Sequence, residues 1–282
     1  TTTPPDTSNL TQQQSQQQSN ADPVQNPGTN YSGTDSGYIV LMLTNKSGLT
    51  LEEIFASYKR QSGSGNVWAL GHKNTTIDYV RAWGEGGQDA TPYLKWSVFN
   101  SGALNTGDLA SNYPITDVEL QRFTYLSLGY FTMPLTLSVG GSTYTQDNRG
   151  YAVFGYNTPS IASILGTGTY SGNAYGTYWT STGGVNMQGY FSAQVDFGSK
   201  SITSYNMDVY SDAINAKISN ATASIGADGH FDISGGSWVL NSKNLASTDY
   251  MTAHGSFYGP AAEYMGGNWA MLNKVTNEGA VG

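Results

Sequence analysis

Thirteen residues, 185–197 (VNMQGYFSAQVDF), limit what this chain can fold into more than any other stretch. Every odd position is apolar or glycine, and every even one is polar or tyrosine. A period of two puts alternate side chains on opposite faces of a strand, so this segment buries one face and wets the other. Such a strand needs antiparallel neighbours, and the sequence supplies them. Further strands read at 166–171, 175–181, 201–210, 212–225, 230–240, 250–258 and 263–272, joined mostly by short turns such as Gly226-Ala227-Asp228-Gly229. Within 212–225 the apolar phase changes between Ile214/Ala216/Ile218 and Ala221/Ala223/Ile225, which calls for a bulge near Ser219-Asn220.

Together these make eight strands. Eight antiparallel strands with one apolar face close into a barrel that side chains can fill, and closure removes sheet edges that would template aggregation. The expected fold is mainly β: an eight-stranded antiparallel up-and-down β-barrel over 159–282, preceded by an α+β domain over 37–158. The last hairpin, 255–270 (GSFYGPAAEYMGGNWA), closes the barrel. Pro260 lacks an N–H and suits its turn, the pair Gly266-Gly267 permits a bend or a close backbone approach, and Phe257 and Trp269 fill the interior.

Residues 1–36 are of another kind. Leu10, Ala21 and Val24 are nearly the only apolar residues in a Gln/Ser/Thr/Pro-rich run, so ordering it could not be offset by burial. It reads as a disordered tether spanning roughly 30–35 Å root-mean-square. The 37–158 domain opens on an apolar strand, Tyr38 to Leu43. A helix is expected next: Thr50 and Glu53 form a capping box, Leu51, Ile54, Phe55 and Tyr58 fall on one face, and Lys59 and Arg60 complement the dipole in the last turn. A second short helix is expected over 116–128, then strands at 135–139 and 151–156.

Between Val67 and Asn100 large aromatics crowd together. Trp68, Tyr79, Trp83, Tyr93 and Trp96, with His72, are the candidate ligand-binding residues, because Trp and Tyr bury much area at small entropic cost. An exposed aromatic set suits a host protein; with Asn and Asp nearby it also suits a glycan, since sugar rings stack on aromatic faces. Only three histidines exist, His72, His230 and His254. The last two read as surface residues. His72 is the one candidate haem ligand with aromatic company, and Tyr79 is its one available partner, so haem is the only cofactor entertained and no metal site is expected.

Composition excludes several classes. A net charge of −8 without a basic cluster excludes nucleic acid as a partner, and zero cysteines exclude thiolate chemistry and disulfides. No nucleophile elbow, His-Glu-x-x-His or phosphate loop is present, and no apolar run is long enough to span a bilayer. The chain reads as a binder, not an enzyme.

Three segments resemble a known family. GTGTYSGNAYG (166–176), QVDFGSKSI (194–202) and above all GSFYGPAAEYMGGNWA look like the C-terminal barrel of transferrin-binding protein B and of related surface lipoproteins, including factor H binding protein and the hemophilin haemophores. The resemblance implies that 37–158 is a handle-like domain carrying ligand specificity. It also implies a Gram-negative protein on the outer-membrane surface or secreted, exported by a Slam-type translocator, with membrane contact only through a lipid upstream of Thr1. The single handle-barrel unit and polar tether are similar to those of host-colonisation lipoproteins, so a host protein or glycan is the expected ligand.

Overall fold

The computed structural model describes the backbone of 35–45, 48–50, 58–60, 67–72, 75–80, 93–98, 111–114, 116–123, 125–139, 142–180, 183–212 and 214–282. Side chains are described from 123 onward, except at 124, 127, 131–149, 152, 154–156, 180–183 and 213. Among the described residues every regular element is a β-strand apart from one 3₁₀ turn, Ile161–Ser163. The strands are β1 (Asp35–Asn45), β2 (Gly48–Thr50), β3 (Tyr58–Arg60), β4 (Val67–His72), β5 (Thr75–Val80), β6 (Tyr93–Val98), β7 (Ser111–Pro114), β8 (Thr116–Arg122), β9 (Leu126–Val139) and β10 (Ser142–Tyr156). There follow β11 (Thr167–Thr180), β12 (Gly183–Asp196), β13 (Ser201–Ser211), β14 (Ile214–Ser224), β15 (Phe231–Asp232), β16 (Ser237–Leu240), β17 (Lys243–Asn244), β18 (Tyr250–Tyr258), β19 (Tyr264–Asn273) and β20 (Glu278–Val281).

They form three antiparallel sheets, ordered β2-β1-β10-β9-β8, β3-β4-β5-β6-β7, and β15-β18-β19-β20-β11-β12-β13-β14-β16-β17. The ten-stranded sheet curls into a barrel. Its two limbs meet where β14 bridges the β15 region through Thr222–Ser234 and Ile225–Phe231. The alternating strand at 185–197 is β12, with Met187, Ala193, Val195 and Phe197 all buried. At its centre Phe257 is wholly buried, with the rings of Tyr170, Phe197 and Phe231 at 5.4, 5.4 and 5.5 Å. Trp269 is interior too.

The bulge falls where the phase change placed it. β13 pairs Tyr205 with Ala221 and Met207 with Ile218, so Ser219 and Asn220 oppose the single residue Asn206. Asn220 adopts φ 53°, a region asparagine tolerates better than most residues, and its N–H donates to Asn206 Oδ1 at 3.0 Å.

Several expectations need correction. The α-helices of an α+β domain do not occur among the described residues. Residues 116–128 form β8 and the start of β9, because pairing against β9 offers this segment a ladder that an isolated helical turn lacks. Tyr58–Arg60, expected in a last helical turn, pairs with β4 instead; 51–57 lie outside the described residues, as does the tether through residue 34. The ten-strand count also replaces the expected eight. Segments 166–171 and 175–181 are one strand, β11; the 230–240 segment is broken into β15 and β16 at Gly235-Gly236; β17 and β20 were not foreseen.

The first sheet docks on the outer face of the barrel. Leu126 and Val153 pack with Tyr258, and Tyr151 packs with Trp179, Ala270 and Val281. Tyr151 and Thr177 share a buried 2.8 Å hydroxyl–hydroxyl hydrogen bond, and Asn268 Nδ2 donates to Tyr151 O and Gly282 O. The exit from β10 is pinned as well: Thr158 N–H donates to Phe257 O at 2.9 Å.

Candidate functional site

Two regions hold the groups suited to binding. The first is the β3–β7 sheet, where the candidate residues fall. Register pairs Trp68 with Tyr79, Tyr79 with Leu94, Leu70 with Ile77 and Ile77 with Trp96. Directly opposed residues share a face and successive ones alternate. Trp68, His72, Tyr79 and Trp96 therefore lie on one face, together with Leu70, Ile77, Leu94 and Val98. Tyr93 pairs with Val80 and belongs to the other face, beside Asp78 and Lys95. Trp83 lies outside the described residues. His72 is four pairs along the β4–β5 hairpin from Trp68–Tyr79, roughly 13 Å at a strand's rise per residue.

The second region went unnoticed in the sequence. A cavity with about 110 Å³ open to the centres of water molecules runs from the first sheet into the barrel interior, several times the ~10–15 Å³ that one water needs. Leu126, Tyr151 and Val153 line it from the first sheet. Phe191, Tyr205 and Met207 line it from the barrel interior, and the β11 and β19 segments at 170–175 and 263–269 flank it. Its signal in the sequence was the glycine spacing, since Gly172, Gly266 and Gly267 all border it. A Cβ on Gly266 would sit 3.0 Å from Leu126 Cδ2 and 3.1 Å from Val153 Cγ1, so glycine here lets the two sheets approach.

His254 also lines this cavity. It points out of the barrel as its phase requires, yet it is buried and not the surface residue expected, because the first sheet covers that face. Desolvation pushes its pKa down to about 4; Asp232, whose Oδ1 is 3.4 Å from its Nδ1, opposes that shift, and His230 adds to it. His230 itself is half-exposed and bonds Asp232 Oδ2 at 3.1 Å. Tyr170 is held above its ordinary pKa by burial and then by the Glu263 charge, and its hydroxyl donates to Ala262 O at 2.6 Å. Among the described residues no group of three His, Asp or Glu side chains is arranged to hold a metal ion. The two carboxylates considered as a pair have separate turn roles: Asp196 accepts from Gly198 and Ser199, and Glu263 from Ala261.

No curated protein matches the chain. Two solved structures of the vaccine antigen transferrin binding protein B from Haemophilus parasuis Hp5 resemble it faintly. A double mutant is 14% identical with a TM-score of 0.41, covering 86% of this chain but only 44% of that one, so the chain spans less than half its length. A tryptophan mutant is 11% identical with a TM-score of 0.34, covering 88% of this chain and 75% of that one. One segment carries a family match: residues 159–282, the barrel, match the family described as the C-lobe and N-lobe beta barrels of Tf-binding protein B.

Proposed function

We propose that this chain is a non-enzymatic surface lipoprotein of a Gram-negative bacterium, exported by a Slam-type translocator, that associates with a host through a ligand held on the β3–β7 sheet. The observation that carries this reading is the shared face of Trp68, His72, Tyr79 and Trp96, presented by a chain whose other half matches a binding-protein barrel. The barrel is the scaffold and the N-terminal sheets select the ligand, a host protein or glycan. A Trp68→Ala/Trp96→Ala double variant should lose about tenfold or more of the purified protein's binding to host tissue, since clustered aromatics dominate such interfaces. A Tyr93→Ala variant, altered on the opposite face, should bind normally. Equal binding by all three proteins overturns the reading. A glycan array and a transferrin arm in the same assay identify the ligand class.

A second reading, haem carriage, rests on His72 and Tyr79 sharing that face. Haem titration of the purified chain tests it: a Soret shift that His72→Ala abolishes supports it, and no shift, or one that survives the substitution, removes it.

A further inference from the structure

The first sheet covers the barrel wall at Trp179, Tyr258, Ala270 and Val281. Elsewhere, β12, β13 and β14 present an outer face of different make-up. Alternation sends Met187, Ala193, Met207, Val209, Ala216 and Ile218 inside, where all are buried. The residues between them turn outward, and register fixes their neighbours. Gln188 opposes Tyr210, Tyr190 opposes Asp208, and Asp208 opposes Lys217 on the far side.

Tyr190 is 44% exposed and Tyr210 is 48% exposed. Single exposed apolar residues need no explanation, and Leu165 and Val275, each in a connection, are of that kind. The tyrosines differ because they are neighbours. They occupy one diagonal of a square of four outward residues, with Gln188 and Asp208 on the other, and such diagonal positions lie about 7–8 Å apart. Lys217 Nζ holds Asp208 Oδ2 at 3.4 Å, so the charges of the patch cancel. The next row, Ser192 opposite Asn206, is polar as well.

We propose that this face is a carbohydrate-binding platform for an uncharged, β-linked oligosaccharide. The two half-exposed rings together offer roughly 150–250 Å², far below the ~800 Å² a side that stable protein interfaces bury. A protein partner would also want apolar anchors at the centre, where Gln188 and Asp208 stand. A sugar suits both features. Its ring C–H faces stack on the tyrosines, and its hydroxyls, which donate and accept, pair with the Gln188 amide, the Asp208 carboxylate and the Lys217 ammonium. The neutral patch on a chain of net charge −8 selects against anionic sugars. Equatorial linkages give an extended chain with flat C–H faces that can lie across both rings, whereas axial linkages coil it. Nothing in this platform depends on the β3–β7 face proposed above to hold a ligand.

Saturation-transfer NMR and titration of the full chain with cellotriose and with triacetylchitotriose test this. At least one should bind, with saturation concentrated on its ring C–H protons and with the Tyr190 and Tyr210 ring signals shifting. The α-linked trisaccharide maltotriose should bind about tenfold more weakly or worse. Tyr190→Thr/Tyr210→Thr should lower affinity about tenfold or more. Its melting temperature should stay within about 2 °C of the parent's, since threonine suits an outward strand position. Tyr190→Phe/Tyr210→Phe keeps both rings and should remain within about threefold of the parent. Five results would each overturn the platform: no binding of either trisaccharide up to about 10 mM, unshifted tyrosine rings, full affinity in the threonine variant, equal losses in the threonine and phenylalanine variants, or maltotriose bound as tightly. Trp68→Ala/Trp96→Ala should bind the trisaccharide as the parent does. Loss in that variant alone would move the sugar to the β3–β7 sheet, overturning the platform while leaving the reading of that sheet intact.

Discussion

Replacing Phe257 by alanine should damage the barrel more than any comparable truncation on its surface. The side chain is wholly buried and three aromatic rings lie within 5.5 Å of it, contributed by β11, the end of β12 and β15. Truncating a buried phenylalanine costs about 3–5 kcal/mol, and aromatic pairs add about 0.5–1.5 kcal/mol each beyond area burial. Three such pairs place Phe257→Ala near the top of that range, about 4–5 kcal/mol. Phe257→Leu keeps most of the volume but loses the ring edges, and should cost about 2 kcal/mol. Urea denaturation followed by tryptophan fluorescence measures both; at about 3–5 °C per kcal/mol for a domain of this size, the alanine variant should melt roughly 12–25 °C lower. Leu165, 81% exposed, supplies the control, since Leu165→Ala should change stability by less than about 0.5 kcal/mol. A Phe257→Ala cost below about 2 kcal/mol would falsify the claim that this ring cluster anchors the two limbs of the curled sheet.

Gly266→Val should push against Leu126 and Val153 and undock the first sheet while leaving the barrel folded; limited proteolysis should cut between 123 and 158 sooner, and an unchanged pattern counts against the close approach. Tyr170→Phe removes the 2.6 Å donor to Ala262 O and should cost about 1–2 kcal/mol, with little change in packing. Stability should also fall on acidification through His254. The folded protein keeps this residue neutral down to about pH 4, while the unfolded chain takes up its proton near 6.5. The stabilisation is complete above 6.5 and is lost as pH drops toward 4, on the order of 3 kcal/mol in all. A His254→Gln variant should flatten the profile between those limits, and an unflattened profile rules out His254 as its source.

Legibility followed the kind of burial each segment undergoes. The barrel could be read because its strands bury one face, which leaves a period of two in β12 and a countable phase slip at Ser219-Asn220. The 37–158 region gave less, because helical spacing over 50–60 and strand pairing at Tyr58–Arg60 use overlapping residues, and long-range partners on β4 decide between them. Register now groups four of the candidate aromatic-site residues on one face and separates Tyr93, an assignment no local pattern could make, since it depends on which residues oppose which across two hairpins.

Glycine misled most, and for a physical reason. The sequence reading split 166–181 into two strands, 166–171 and 175–181, around Gly172. In the folded chain Gly172 and Gly176 lie inside β11, neither with a positive φ, and they are there for space. A Cβ on Gly172 would stand 2.9 Å from Phe191, its partner across the ladder, and one on Gly176 would stand 2.5 Å from Trp269. Gly235 and Gly236 do break a strand, at φ 67° and 69°. What separates the two uses is the sign of φ. A glycine with ordinary strand φ opposite a large aromatic makes room within a strand, whereas a pair with positive φ ends one.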